Sequence, residues 1–272
     1  MDVSDRDPPM KAATFGLLFA LAVLPVRAHT PYLHATGDVA ARGGLVSMEA
    51  AFAETFFVPE VAFDNSEFVV TGPDGRHHAP DRIEVWKART LAEHRIGQAP
   101  GTWRFSTGPR HGARFRTWEV DGKRQSSRDP AVKIPAGAKL VSDFQSLTIA
   151  ETYLSVGAPN RAALAPRGKG LEIVAIDHPN DLYVGEDFAF RVLFDGQPLA
   201  GKKIEITEAV SDSGNTPRIV TLSTDADGRA VFKSEHPTRW LALVRHRTPA
   251  PASVGAAEYS HSYTLTFRTL AQ

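Results

Sequence analysis

Asp187-Phe188-Ala189-Phe190-Arg191-Val192-Leu193-Phe194-Asp195-Gly196, residues 187–196, is the stretch on which the fold class turns. Eight residues rich in aromatic and branched side chains run into Asp-Gly, a pair that tolerates positive φ and closes β-hairpins. The same pattern recurs on both sides of it. Downstream lie Lys203 to Thr207, Arg218 to Ser223, Ala230 to Lys233, Trp240 to Arg245 and Tyr263 to Phe267, with Asp227-Gly228 as a further turn, and Leu171 to Ile176 precedes it. About seven short strands in some hundred residues is the size of an immunoglobulin-like or transthyretin-like module. Upstream, Leu45 to Phe52, Glu67 to Thr71 and Thr102 to Thr107 read as strands, punctuated by Gly72-Pro73-Asp74-Gly75 and Pro100-Gly101. No long amphipathic helical period interrupts them after residue 28, and the polar segment from Asp121 to Ala138 reads as a loop.

The expected architecture is all-β, with two tandem β-sandwich domains at residues 29–157 and 171–272, the second immunoglobulin/transthyretin-like. Residues 158–170, with Pro159, Pro166, Gly168 and Gly170 and few large apolar side chains, read as a linker. Residues 1–28 read as a signal peptide. Lys11 precedes the apolar run Ala12 to Leu24, and Val26 and Ala28 put small residues at −3 and −1 of a cut between Ala28 and His29. Asp2, Asp5 and Asp7 suit such a leader poorly, which points to Met10 as the start of translation. Export to the periplasm follows, with no direct membrane insertion after cleavage.

The 272 residues carry 31 basic and 31 acidic side chains, and that balance argues against a nucleic-acid binder. The absence of Cys removes disulfides and thiolate ligands, so a metal would have to be held by His, carboxylates, Met or the chain's own amine. No Gly-x-Ser-x-Gly elbow or phosphate-binding Gly-rich loop is present, so the chain does not read as an enzyme. Among the 10 His, His29 stands out. As a mature first residue it could chelate a metal through its α-amine and ring Nδ1, and a second His would complete a nitrogen set suited to Ni, Co or Cu. His246, ending the run Trp240 to Val244, and His261, before the last strand, are candidates for that second ligand. His77-His78, His94 and His111 read as solvated, and His178-Pro179-Asn180-Asp181 as a turn.

Several short motifs, in order along the chain, give it a resemblance. They are Ala28-His29 with Pro31-Tyr32-Leu33, Glu54-Thr55-Phe56-Phe57-Val58-Pro59-Glu60, Gly72-Pro73-Asp74-Gly75, Pro100-Gly101-Thr102-Trp103, Val184-Gly185-Glu186, Leu193 to Gly201, Thr224 to Arg229, Arg239-Trp240-Leu241 with His246, and Leu265-Thr266-Phe267. The chain resembles the NikM-like family of periplasmic components of cobalt/nickel transport systems, itself a domain-of-unknown-function family. The resemblance implies a shared metal site, because His29 and His246 fall on two histidines of the family pattern. It also implies an inner-membrane metal transport system as partner. Thr30 stands where the family often has Asp, leaving His34 or His261 to replace that ligand, and Thr238 stands where Gly is usual. The expected function is a periplasmic protein holding divalent nickel or cobalt through His29, His246 and His261. The rival readings are a non-catalytic interaction module with no metal site and a copper oxidase using a terminal His.

Overall fold

A computed structural model describes residues 29–37, 40–209 and 216–272; the signal peptide read at residues 1–28 lies outside them. The first half of the chain contributes β1 (Thr30–Ala35), β2 (Leu45–Ala53), β3 (Val61–Ala62), β4 (Val69–Thr71), β5 (His77–His78), β6 (Arg82–Val85), β7 (Thr90–Arg95), β8 (Gly101–Ser106), β9 (Arg110–Val120), β10 (Lys123–Ser127) and β11 (Lys139–Val156). The second half contributes β12 (Leu171–Ala175), β13 (Asp187–Phe194), β14 (Gln197–Pro198), β15 (Lys203–Glu208), β16 (Ile219–Ser223), β17 (Arg229–Lys233), β18 (Arg239–Pro249) and β19 (Glu258–Arg268). The protein is all-β, and among the described residues no helix is long and apolar enough to cross a membrane.

Three sheets form, and the two halves of the chain share one of them. A ten-stranded sheet runs β16-β15-β18-β19-β11-β8-β4-β5, with the β9–β10 hairpin attached to β11. A five-stranded sheet, β1-β2-β7-β6 with β3 on β2, lies against one face of it, and the four-stranded β12–β14 and β17 sheet lies against the other. Strand β11 shows why this works. Successive side chains of a strand point to opposite faces, so Ala150, Leu154 and Val156 enter one core with Leu33, Met48, Phe63, Trp103 and Phe105. Their neighbours Ile149 and Tyr153 enter the other core with Ile173, Phe188, Phe190, Phe232, Trp240 and Tyr263. The two sandwiches are thus built on opposite faces of one long sheet. The join is β11 with β19, paired in parallel from Phe144↔Glu258 to Thr152↔Thr266.

Residues 158–170 connect the halves while packed against them. Ala163 and Leu164 are buried, and the Arg104 guanidinium donates to the Ala165 carbonyl at 3.0 Å. The segment read as a loop from Asp121 to Ala138 begins instead with a hairpin. Asp121 and Gly122 both take positive φ, 50° and 70°, which is the two-residue turn that matches strand twist, and Lys123–Ser127 returns along β9. The same chemistry, with φ of 49° and 74°, turns the chain at Asp195-Gly196 as expected.

Where β8, β11 and the 158–170 segment meet, the core is polar. Glu151 is 1% exposed and accepts a hydrogen bond from the Tyr263 hydroxyl at 2.5 Å. Arg167 approaches it to 3.5 Å, and the Arg167 and Gly168 amides donate to the buried Glu172. Burial works to raise the Glu151 pKa, but the Arg167 and Arg104 charges and the Tyr263 hydroxyl outweigh it and hold the carboxyl ionised below its ordinary range. Removing one partner of such a buried set leaves uncompensated charge. Glu151→Gln is therefore expected to cost about 3 kcal/mol of stability. Urea denaturation at neutral pH measures this; an unchanged midpoint would mean that the arginines are satisfied without Glu151.

Candidate functional site

Pairing of β1 with β2 sets Thr30 opposite Ala53 and so brings His29 beside Glu54. The chain after β2 folds back at Glu60, whose amide donates to the Phe52 carbonyl and whose Oε1 accepts the Glu54 amide at 2.8 Å. Its other oxygen, Oε2, lies 2.7 Å from His29 Nε2, and Glu54 Oε1 lies 3.9 Å from the same nitrogen. The Glu60 carboxylate can only accept at Nε2, so in the neutral ring Nδ1 is the acceptor nitrogen, an arrangement that commonly orients metal-binding imidazoles. Phe56 of this connection joins a small core with Tyr32, Leu241 and Leu243, while Phe57 packs on His34 with ring centroids 4.3 Å apart and planes tilted by 37°.

His34 is occupied on both sides. Its Nδ1 donates to the Ala35 carbonyl at 2.8 Å, and its Nε2 lies 3.8 Å from the buried Glu49. Glu49 also accepts from the Tyr32 hydroxyl at 2.5 Å and from Arg89 at 2.7 Å. Burial opposes ionisation of Glu49, yet His34, Tyr32 and Arg89 together hold its carboxyl below the usual range. Burial, with the Glu49 carboxylate beside it, pushes the Tyr32 hydroxyl far up.

His246 and His261 face one another across β18 and β19, with ring centroids 6.4 Å apart and planes at 29°. Both lie at the rim of the core between the ten- and four-stranded sheets, where Phe194 closes on each edge-on at about 5 Å. His261 Nε2 is 2.9 Å from the Thr248 hydroxyl, and His246 Nδ1 is buried with no partner among the described residues. Burial lowers both pKa values, assisted at His246 by Lys202 and at His261 by His246, against Asp195. The same cross-strand row continues through Leu147 to His111 on β9. His29 belongs to the five-stranded side, against Glu54 and Glu60. Among the described residues no three His, Asp or Glu side chains are grouped to hold a metal, so His29, His246 and His261 do not converge.

Sequence reasoning passed over one cluster. His94, read as solvated, is buried on β7, because β7 alternates and places Thr90, Ala92 and His94 inward, with Ile96 buried just beyond its end. Its ring lies 5.5 Å from Trp103 and 6.0 Å from His78, which reaches it from β5 on the facing sheet. Asp81 Oδ2 is 3.8 Å from His94 Nδ1, and both that nitrogen and Trp103 Nε1 are buried with no hydrogen-bond partner among the described residues. The Ala92-x-His94-x-Ile96 alternation carried this signal. His178, read as shaping a turn, does so: its Nδ1 accepts the Asn180 amide at 3.2 Å, and its Nε2 reaches Thr102 and Asn160.

Burial lowers the pKa of His94, and Asp81 only partly offsets it; His178, His246 and His261 are lowered the same way. The unfolded chain binds protons on these rings near pH 6.5, while the folded rings take them only at lower pH. Stability from the neutral rings is full above about 6.5 and is lost as pH falls through the depressed folded values. His94→Phe, which keeps an aromatic ring without the titration, should flatten the fall in urea midpoint between about pH 7 and 5. An unchanged slope would remove His94 from the acid response.

The profile of the family described as Domain of unknown function (DUF4198) matches residues 26–248. No curated protein matches the chain. Among solved structures, the Yersinia pseudotuberculosis adhesin InvE is 14% identical with a TM-score of 0.24, over 87% of this chain and 58% of that one. A DUF4785 family protein from Legionella pneumophila is 8% identical with a TM-score of 0.25, over 78% and 50%. The Escherichia coli adhesin FdeC is 12% identical with a TM-score of 0.24, over 89% and 63%. The chain thus spans roughly half to two thirds of those proteins, and likeness at this level says nothing of activity. The family match covers most of the chain, which therefore belongs to the family described as Domain of unknown function (DUF4198).

Proposed function

We propose that this is an exported, non-catalytic β-sandwich protein that holds a divalent transition metal of the nickel/cobalt class at a mature amino terminus formed by His29. In this reading it serves an inner-membrane metal uptake system from the periplasm. The observation that carries it is the 2.7 Å contact of His29 Nε2 with Glu60. That contact reserves Nδ1, the nitrogen that forms a chelate ring with a terminal α-amine. The donor pair of α-amine and imidazole nitrogen fits a borderline metal that favours nitrogen. His246 and His261 form a separate pair of neutral imidazoles and would at most hold a second, weaker equivalent.

Calorimetric titration of Ni²⁺ and Co²⁺ into protein beginning at His29 tests the reading, beside protein carrying one additional Gly ahead of it. One tight equivalent is expected, absent from the extended protein, weakened about tenfold or more by Glu60→Gln, and falling steeply from pH 7 to 5. Equal binding by both proteins would move the metal elsewhere, and no binding by either would leave a β-sandwich interaction module as the better reading.

A further inference from the structure

A pocket of about 390 Å³ opens on the ten-stranded sheet where β15 and β18 run side by side, lined by Gly201, Lys202, Lys203, Glu205, Leu243 and Arg245. The register of the two strands builds it. Ile204 pairs with Val244, and both are buried in the core shared with the four-stranded sheet. Neighbouring side chains of a strand point to the opposite face, so Lys203 and Glu205 of β15 gather there with Leu243 and Arg245 of β18. Leu243 is buried and gives the pocket an apolar floor. The charges on its wall do not balance. Three cations, Lys202, Lys203 and Arg245, meet one carboxylate, Glu205, which Lys203 already holds at 2.7 Å. Arg245 makes no side-chain hydrogen bond or ion pair among the described residues. It is exposed and lines the pocket, so its five N–H donors are open to a ligand. The atoms packed around the guanidinium still displace water from it, and this desolvation, only partly offset by Glu205, lowers its pKa. Crowded cations that have lost part of their water are stabilised by an anion set among them.

We propose that this pocket binds a phosphate monoester, its phosphate group received by the Arg245 guanidinium and the Lys202 ammonium with Lys203 alongside. The charge sets the class of ligand. Three cations and one carboxylate leave two positive charges unbalanced. A phosphate monoester carries close to two negative charges at neutral pH and three acceptor oxygens, whereas a single carboxylate brings one charge. The arginine fork takes two phosphate oxygens at once, and each lysine adds a compact point charge. Glu205 repels the anion, which keeps the phosphate on the side of Arg245 and Lys202, and Leu243 lies beneath the organic part of the ester.

Glycerol phosphate, titrated calorimetrically at low ionic strength into chelator-treated, metal-free protein, tests this independently of the amino-terminal metal. One saturable equivalent at millimolar or tighter affinity is expected. Arg245→Gln should weaken it about tenfold and Lys202→Gln several-fold, both with the melting temperature unchanged. Glu205→Gln should tighten it several-fold by removing the repelling carboxylate, a gain that a damaged fold does not produce. Arg124→Gln, on the exposed β10, should leave binding as it was and so separates the pocket from the net charge of the protein. Vesicles of phosphatidylcholine with and without phosphatidic acid offer the same group on a lipid. Sedimentation with the phosphatidic acid vesicles alone, lost in Arg245→Gln, would place the phosphate on a membrane surface rather than on a soluble ester. Binding of neither, or binding indifferent to the Arg245 and Lys202 substitutions, would overturn the proposal. Succinate binding as tightly as glycerol phosphate would overturn the ligand class.

Discussion

The fold depends on a carboxylate that is taken out of water and kept charged. Glu151 sits on β11 at the point where the strand serves both sandwiches, and its charge is balanced by Arg104 from β8 and Arg167 from the connecting segment. Tyr263, on β19, closes the set from the second half of the chain. Ions buried this deeply persist only where every partner is in position. The parallel register of β11 with β19, the path of residues 158–170 and the seat of β12 through Glu172 are therefore tied to one another. This polar node occupies a stretch of the central sheet between its apolar areas, and it is where the two halves of the chain are locked.

The histidines take their character from the same layering. Two sandwiches back to back have open rims, and a residue at a rim is half in the core and half in water. His246 and His261 occupy one rim and His94 another, and burial lowers the pKa of each, outweighing Asp195 at His261 and Asp81 at His94 and reinforced by Lys202 at His246. His29 is different in kind. It lies at the edge of the five-stranded sheet, a third exposed, with two carboxylates at hand, so its ring is oriented by charge rather than by packing.

Short-range signals in the sequence were legible where backbone chemistry dictates the outcome. Asp195-Gly196 turns the chain because both residues accept positive φ. Asp121-Gly122 does the same, but β10, Lys123–Ser127, is wholly polar and almost wholly exposed, so no apolar alternation announces the returning strand. The apolar alternation of β13 and β18 told strand from helix because period two is a property of the backbone alone. The burial of His94 was written in its own strand, between Ala92 and Ile96, and was masked by the arginines that flank it in sequence but point to the other face.

By itself the sequence determined the all-β class, most of the turns, the absence of thiol chemistry and the short motifs spread across the whole chain, because each of these follows from local composition and backbone preference. Only the tertiary structure decided which residues meet. It put Ile149 and Ala150, neighbours in the chain, into different cores, and it set His246 against His261 and Arg239 against Arg268. It also drew Glu60 rather than a second histidine onto His29. Those pairings depend on the register of strands far apart in sequence. Register is settled by the packing of whole sheets, a constraint that no single stretch of chain carries.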